Sequence, residues 1–253
     1  IDIGSNSIRL LILEGERDSK IFDYQIIVSE SIITQLFSLL KNYANEKIKP
    51  DLSNFYNGLK HFRTVIRKKG NPFIFIIATE ALRKYRDNIS IPKIKDILKT
   101  EHFNILSSEQ ETYLNYLANI ELINSKIGFL FDLGGGSTEF LFFINTKIEF
   151  TTSIDIGVVK LLNLFNLSFT KREDKLEKKL KLFLLKKFRA NFNKTSLNFC
   201  IGTGGTITTI SAINLELRTY KREEVHKSIL SIEDIERVIN YIYKCENTGK
   251  EIE

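Results

Sequence analysis

Ile127-Gly128-Phe129-Leu130-Phe131-Asp132-Leu133-Gly134-Gly135-Gly136-Ser137-Thr138 decides the fold. An apolar run this short, ended by Asp and three glycines, reads as a buried strand entering a tight turn. A second hydrophobic strand, Thr138 to Ile144, follows, then another at Ile148 to Ile154. The start of the chain has the same design. Asp2-Ile3-Gly4-Ser5-Asn6-Ser7 is followed by Ile8-Arg9-Leu10-Leu11-Ile12-Leu13, a near-continuous apolar run expected of a strand covered on both faces. Two copies this far apart point to two related domains and not to a short-period solenoid. We divide them at 1–118 and 119–253.

Between the copies the chain alternates. Lys20 to Ser29 reads as a third strand, while residues 30–50 show no clear period. Phe55, Leu59, Phe62 and Ile66 recur at helical spacing, and Gly70 ends the pattern. Pro72 to Ala78 reads as a strand, a short helix surrounds Ile94 and Leu98, and Phe103 to Leu106 is a strand. Farther on, residues 172–192 read as a basic amphipathic helix with Leu176, Leu180, Phe183, Leu184 and Phe188 on one face. Leu197 to Ile201 is a strand whose glycine turn opens a helix around Ile207 to Leu217. Ser231 caps a last helix, Ile232 to Tyr243, supported by Asp234.

Composition narrows the class. Of 253 residues, 43% are hydrophobic and 27% charged, so a soluble globular α/β protein is expected, with no membrane partner and a cytoplasmic location. Cys200 and Cys245, with His61, His102 and His226, are too scattered for a disulfide framework or a zinc site. The formal net charge of +6 favours an anionic partner, though a Lys-rich protein without one has the same balance. Basic residues are not interleaved with aromatics, so nucleic acid is not the expected partner. The chain opens on a strand already under way, and both ends are treated as open.

The glycine turns carry the chemistry. Glycine lets backbone approach a ligand, successive N–H groups form a nest for anions, and hydroxyls add donors to phosphate oxygens. In the first turn these are Ser5, Asn6 and Ser7; in the second, Gly134, Gly135, Gly136, Ser137 and Thr138. An Asp at the strand end, Asp2 or Asp132, can hold a hydrated Mg²⁺. A plain hairpin explains either turn alone. A third loop, Gly202-Thr203-Gly204-Gly205-Thr206, faces the start of a helix, which is a ready anion site; as a plain turn it would have Thr206 as N-cap. In Ala78-Thr79-Glu80-Ala81-Leu82-Arg83-Lys84-Tyr85-Arg86, Arg83 and Arg86 stand i, i+3 on one helix face, suited to phosphate or simply solvated. In Ser107-Ser108-Glu109-Gln110-Glu111, both Ser108 with Glu111 and Ser107 with Gln110 fit a capping box. Glu111 is therefore either a cap or a general base.

Taken in order, these segments, with Asp155-Ile156-Gly157-Val158-Val159 and Val225-His226, resemble the Ppx/GppA family of exopolyphosphatases and guanosine pentaphosphate phosphatases. The resemblance implies the actin/Hsp70/sugar-kinase type of α/β fold, with two ribonuclease-H-like domains facing a cleft. It implies Mg²⁺-dependent hydrolysis of a terminal phosphoryl group of polyphosphate or guanosine penta-/tetraphosphate, with a homodimer compatible. By it Glu111 is the base, with Glu109 the alternative, and Asp132 and Glu139 position metal and water beside Asp2. It implies that Arg83 and the three glycine loops, Gly204, Gly205 and Thr206 included, hold phosphates, and we expect Arg9, Thr79 and Arg86 to join them. A kinase or ATPase of the same fold and a non-catalytic polyphosphate or alarmone sensor are the rivals. Two features depart from the family pattern. Ser108 and Gln110 stand where a Gly and an acid are usual, and no Leu-x-x-Gly-Leu segment is recognisable around residues 30–45.

Overall fold

The computed structural model describes residues 1–15, 24–46, 49–123, 127–165, 178–179, 181–183, 185–186 and 199–248. The chain forms two compact units. The first comprises Ile1–Asn115, Gly134–Glu139 and Thr152–Lys160; the second comprises Tyr116–Leu133, Phe140–Thr151 and Leu161–Glu253. Two later segments, Gly134–Glu139 and Thr152–Lys160, thus count with the first unit.

In the first unit five strands form one sheet: β1 (Asp2–Ile3), β2 (Ser7–Gly15), β3 (Tyr24–Ile33), β4 (Ile76–Ala78) and β5 (Phe103–Ile105), in the order β3-β2-β1-β4-β5. β1, β2 and β3 are antiparallel neighbours, and β4 and β5 continue in parallel. β2 is covered on one face only. Ile8, Leu10 and Ile12 are buried while Leu11 and Leu13 are exposed, because an antiparallel ribbon with helices on one side alternates where a parallel strand would not. The third strand ends at Ile33, four residues past the expected Ser29. Its expected start at Lys20 lies outside the described residues.

The stretch without a period holds a helix, α1 (Leu36–Glu46), whose Leu36, Phe37 and Leu40 enter the core. Its start is tied to the first glycine turn: the N–H groups of Thr34 and Gln35 reach the Asn6 carbonyl, and that of Phe37 reaches Ser5 O at 2.9 Å. α2 (Ser53–Lys68) buries Phe55, Leu59, Phe62 and Ile66, the periodic positions. After β4 comes α3 (Glu80–Tyr85), then α4 (Ile91–Leu98), capped by Ser90, and α5 (Ser108–Ala118). Only Ile76–Ala78 of the expected Pro72–Ala78 strand joins the ladder; Phe73 is exposed.

A second sheet contains β6 (Ile127–Leu133), β7 (Thr138–Ile144), β8 (Lys147–Ile154) and β9 (Phe199–Thr203), in the order β8-β7-β6-β9. The internal repeat is now topological. In each sheet the strand before the glycine turn has the next strand on one side and a later, parallel strand on the other. The turns share a hydrogen bond as well: Gly4 N–H to Ser7 O is 3.0 Å, and Gly134 N–H to Ser137 O is 3.1 Å.

α6 (Val158–Phe165) follows β8. The remaining labelled helices are α7 (Gly205–Asn214), α8 (Arg222–Val225) and α9 (Ile232–Thr248). α7 begins earlier than expected, with Gly204 and not Thr206 at its N-cap. Ser231 and Asp234 cap α9 reciprocally. Of the expected 172–192 helix, residues 178–179, 181–183 and 185–186 are helical; the rest, with Leu197 of the next strand, lies outside the described residues. No helix among the described residues is long and apolar enough to cross a membrane.

Candidate active site

β4 runs parallel to β1, so the chain leaves the sheet beside the first glycine turn. There it starts α3, and Thr79 and Glu80 are buried. Arg83, one turn later, extends from that helix. Its Nη1 donates to the Leu106 carbonyl at 2.7 Å and to Glu111 Oε2 at 2.9 Å; its Nη2 reaches Glu80 Oε2 at 3.3 Å. Leu106 is itself tied to β4 through Ala78 O. The planar guanidinium thus joins the end of β5, the start of α5 and α3, a geometry that an ammonium could not reproduce.

The capping ambiguity at α5 is resolved by distance. Ser107 N–H donates to Gln110 Oε1 at 2.9 Å, and Gln110 N–H donates to Ser107 Oγ at 3.2 Å. The helix is capped by Gln110, and the Glu111 carboxylate turns to Arg83. Glu109 is exposed, and its carboxyl is held below the usual range by backbone N–H at the helix start and by the Ser107 hydroxyl.

The second glycine turn lies on the first. A Cβ added to Gly135 would stand 3.3 Å from Ser5 Cβ and 3.5 Å from Asn6 Cβ. One added to Gly136 would be 2.6 Å from Glu80 Cγ and 2.8 Å from Ser5 Oγ. Gly157 closes the arrangement from behind: a Cβ there would be 2.4 Å from the Gly135 carbonyl carbon. Val158 and Val159 donate N–H groups to Gly134 O and Gly135 O. Glu139, 2% exposed, accepts from Ser153 Oγ at 3.0 Å. Burial pushes its carboxyl above the usual range, against the pull of Ser137, Ser153 and Arg83.

Three residues without an assigned role complete the cluster. Lys160, on the otherwise apolar start of α6, is 7% exposed; its ammonium donates to Glu80 Oε1 at 2.9 Å and to Asp155. Lys84 Nζ lies 2.6 and 2.7 Å from the two Asp155 oxygens and 3.3 Å from Glu80 Oε1. A lone Lys within Val158-Val159-Lys160-Leu161-Leu162 was the available signal, since a buried ammonium requires anionic partners.

The other expected residues are dispersed. Arg86 lies past the end of α3 and is exposed. Arg9 pairs across the ladder with Asp2; burial raises the Asp2 carboxyl and the Arg9 charge opposes this. In the second unit Asp132 pairs with Thr203, and a Cβ on Gly204 would be 2.7 Å from Asp132 Oδ1. Gly204 has φ +94°, which glycine adopts without strain, and it places the start of α7 beside that carboxylate. Among the described residues no three His, Cys, Asp or Glu side chains gather as a metal-ligand group.

The family model of the Ppx/GppA phosphatase family matches residues 16–253. The chain belongs to the Ppx/GppA phosphatase family. It is 26% identical to the Aquifex aeolicus PPX-GPPA enzyme, with a TM-score of 0.73 over 98% of this chain and 81% of that one. An exopolyphosphatase from Cytophaga hutchinsonii matches at TM-score 0.76 and 22% identity, over 94% of this chain and 76% of that one. A curated relative, the bifunctional 3-dehydroquinate synthase/phosphatase of Fusobacterium nucleatum, is 28% identical over 246 residues, covering 93% of this chain. The chain spans only 37% of that relative's length. The α/β architecture expected from the sequence, with two sheets, is shared with the solved Aquifex aeolicus PPX-GPPA enzyme.

Proposed function

We propose that the chain hydrolyses the terminal phosphoryl group of inorganic polyphosphate or guanosine pentaphosphate. The observation that carries this is the Arg83–Glu111 pair, held on the same unit as two glycine turns in contact. Glu111 takes the proton of the attacking water, and Arg83 keeps its carboxylate in one orientation. Backbone N–H groups of the two turns, with the Ser5 hydroxyl, receive the phosphoryl oxygens, where positive dipoles stabilise the charge of the transferring group. The Thr138 hydroxyl donates to Ile156 O at 2.6 Å, and that of Ser137 is turned to Glu139.

Mg²⁺ belongs to this reading, with Asp2, Asp132 and Glu139 each a candidate carboxylate; among the described residues they do not gather as one ligand group. A hydrated Mg²⁺ needs only one or two carboxylates beside waters and the phosphates themselves. When bound, it would supply charge neutralisation on the phosphate oxygens. Gln110 stands where the family has an acid, but it serves as the helix cap, which lessens support for a binding-only protein.

Phosphate release from tripolyphosphate and guanosine pentaphosphate, with and without Mg²⁺, tests the reading. Glu111→Gln is expected to slow release by about 10²–10⁴-fold, the usual contribution of a general base. A folded variant releasing phosphate at the wild-type rate removes Glu111 from this role.

A further inference from the structure

The ion pairs around Glu80 balance. Arg83, Lys84 and Lys160 face Glu80, Glu111 and Asp155. Their environments differ. The Glu80 and Glu111 side chains are 10% and 22% exposed, whereas that of Asp155 is 67% exposed. Yet Asp155 receives both lysines: Lys84 reaches its two oxygens, and Lys160 reaches one of the same two. Two ammonium groups on separate helices therefore converge on one small anion at the surface of the cluster.

We infer that the Lys84–Lys160 pair is a phosphate seat and that the Asp155 carboxylate is its displaceable occupant. A carboxylate two-thirds exposed is screened by water and gains little from its ion pairs. A phosphate group offers three oxygens and more charge to the same donors, and charge-assisted bonds of that kind are stronger. Lys160 keeps Glu80 as a partner when Asp155 turns outward, so the exchange strands no buried charge. Lys84 is held protonated: burial works against it, but its hydrogen bonds to Asp155 and the charges of Glu80 and Asp155 outweigh it. The inference takes from the proposed function only the identity of the ligand class, a phosphate chain.

The test is titration calorimetry with inorganic tripolyphosphate in Mg²⁺-free buffer, where binding is read without turnover. Asp155→Asn and Asp155→Ser are each expected to tighten binding about three- to tenfold, the worth of a competing exposed ion pair. Lys84→Met is expected to weaken binding by a similar factor, and to abolish the gain when combined with Asp155→Asn. Because Asp155 is largely exposed, both variants should fold, and tripolyphosphate should raise their melting temperatures more than that of wild type. Guanosine tetraphosphate in parallel separates the sources. A gain with both ligands assigns the seat to phosphate itself, and a gain with tripolyphosphate alone assigns it to an inorganic chain. If both Asp155 variants bind tripolyphosphate like wild type, or if the gain survives Lys84→Met, the seat does not exist. Loss of the hydrolysis reading is distinct: it shows as binding without phosphate release.

Discussion

Arg83 Nη1 donates to Glu111 Oε2 at 2.9 Å across 28 residues of sequence, while the neighbouring Gln110 spends its side chain on the helix cap. Adjacent residues on one turn thus divide two tasks, one closing the helix and the other facing the guanidinium.

Arg83→Lys should lower turnover. An ammonium cannot reach Glu80, Leu106 O and Glu111 together. We expect a loss of about 1–3 kcal/mol in transition-state stabilisation, the worth of a hydrogen bond to a charged group. Steady-state phosphate release should show it in kcat with KM little changed.

Gln110→Ala removes the reciprocal cap at α5. The expected cost is about 1 kcal/mol, a fall of roughly 2–4 °C in Tm for a chain of this size. Gln110→Glu should retain the stability, since either side chain accepts from the Ser107 N–H. Thermal melts monitored by circular dichroism check both.

Gly157→Ala would drive a methyl to 2.4 Å from the Gly135 carbonyl carbon, and backbone must shift to admit it. Overpacking of this kind costs about 1–3 kcal/mol, and because the second turn moves, phosphate release should fall with it. Gly70→Ala is the control. Nothing lies within 4 Å of its Cβ, so only the φ of +82° is strained. Urea denaturation separates the two.

The Asp155 pairs should leave a pH signature. Although burial acts the other way, Lys160 and Lys84 hold the Asp155 carboxyl below its ordinary value. A depressed carboxyl adds stability that is present above its unfolded pKa and is lost as pH falls through the folded one. Lys84 is raised, so its share is present below the ordinary lysine range and lost as pH rises through the folded value. The difference in Tm between wild type and Asp155→Asn should therefore be flat at neutral pH and shrink toward acid. The effect is small, because the group is exposed. Melts from pH 3 to 8 measure it.

The strand–turn–strand design at Asp2 and Asp132 was legible in the sequence because burial and turn formation are local demands: apolar runs must be covered, and glycine must bend them. The repeat, the periodic face of α2 and the Ser231 cap followed from the same local rules. Contact between residues far apart was not legible. No local rule brings Gly136 against Glu80 and Ser5, or Lys160 against Glu80 across 80 residues; only the tertiary fold does. Leu11 and Leu13 read as buried because an apolar run does not reveal whether one face or two will be covered. The choice between Gln110 and Glu111 as cap was likewise open in the sequence, since both spacings fit. It was decided by Arg83, a partner that only the tertiary fold delivers.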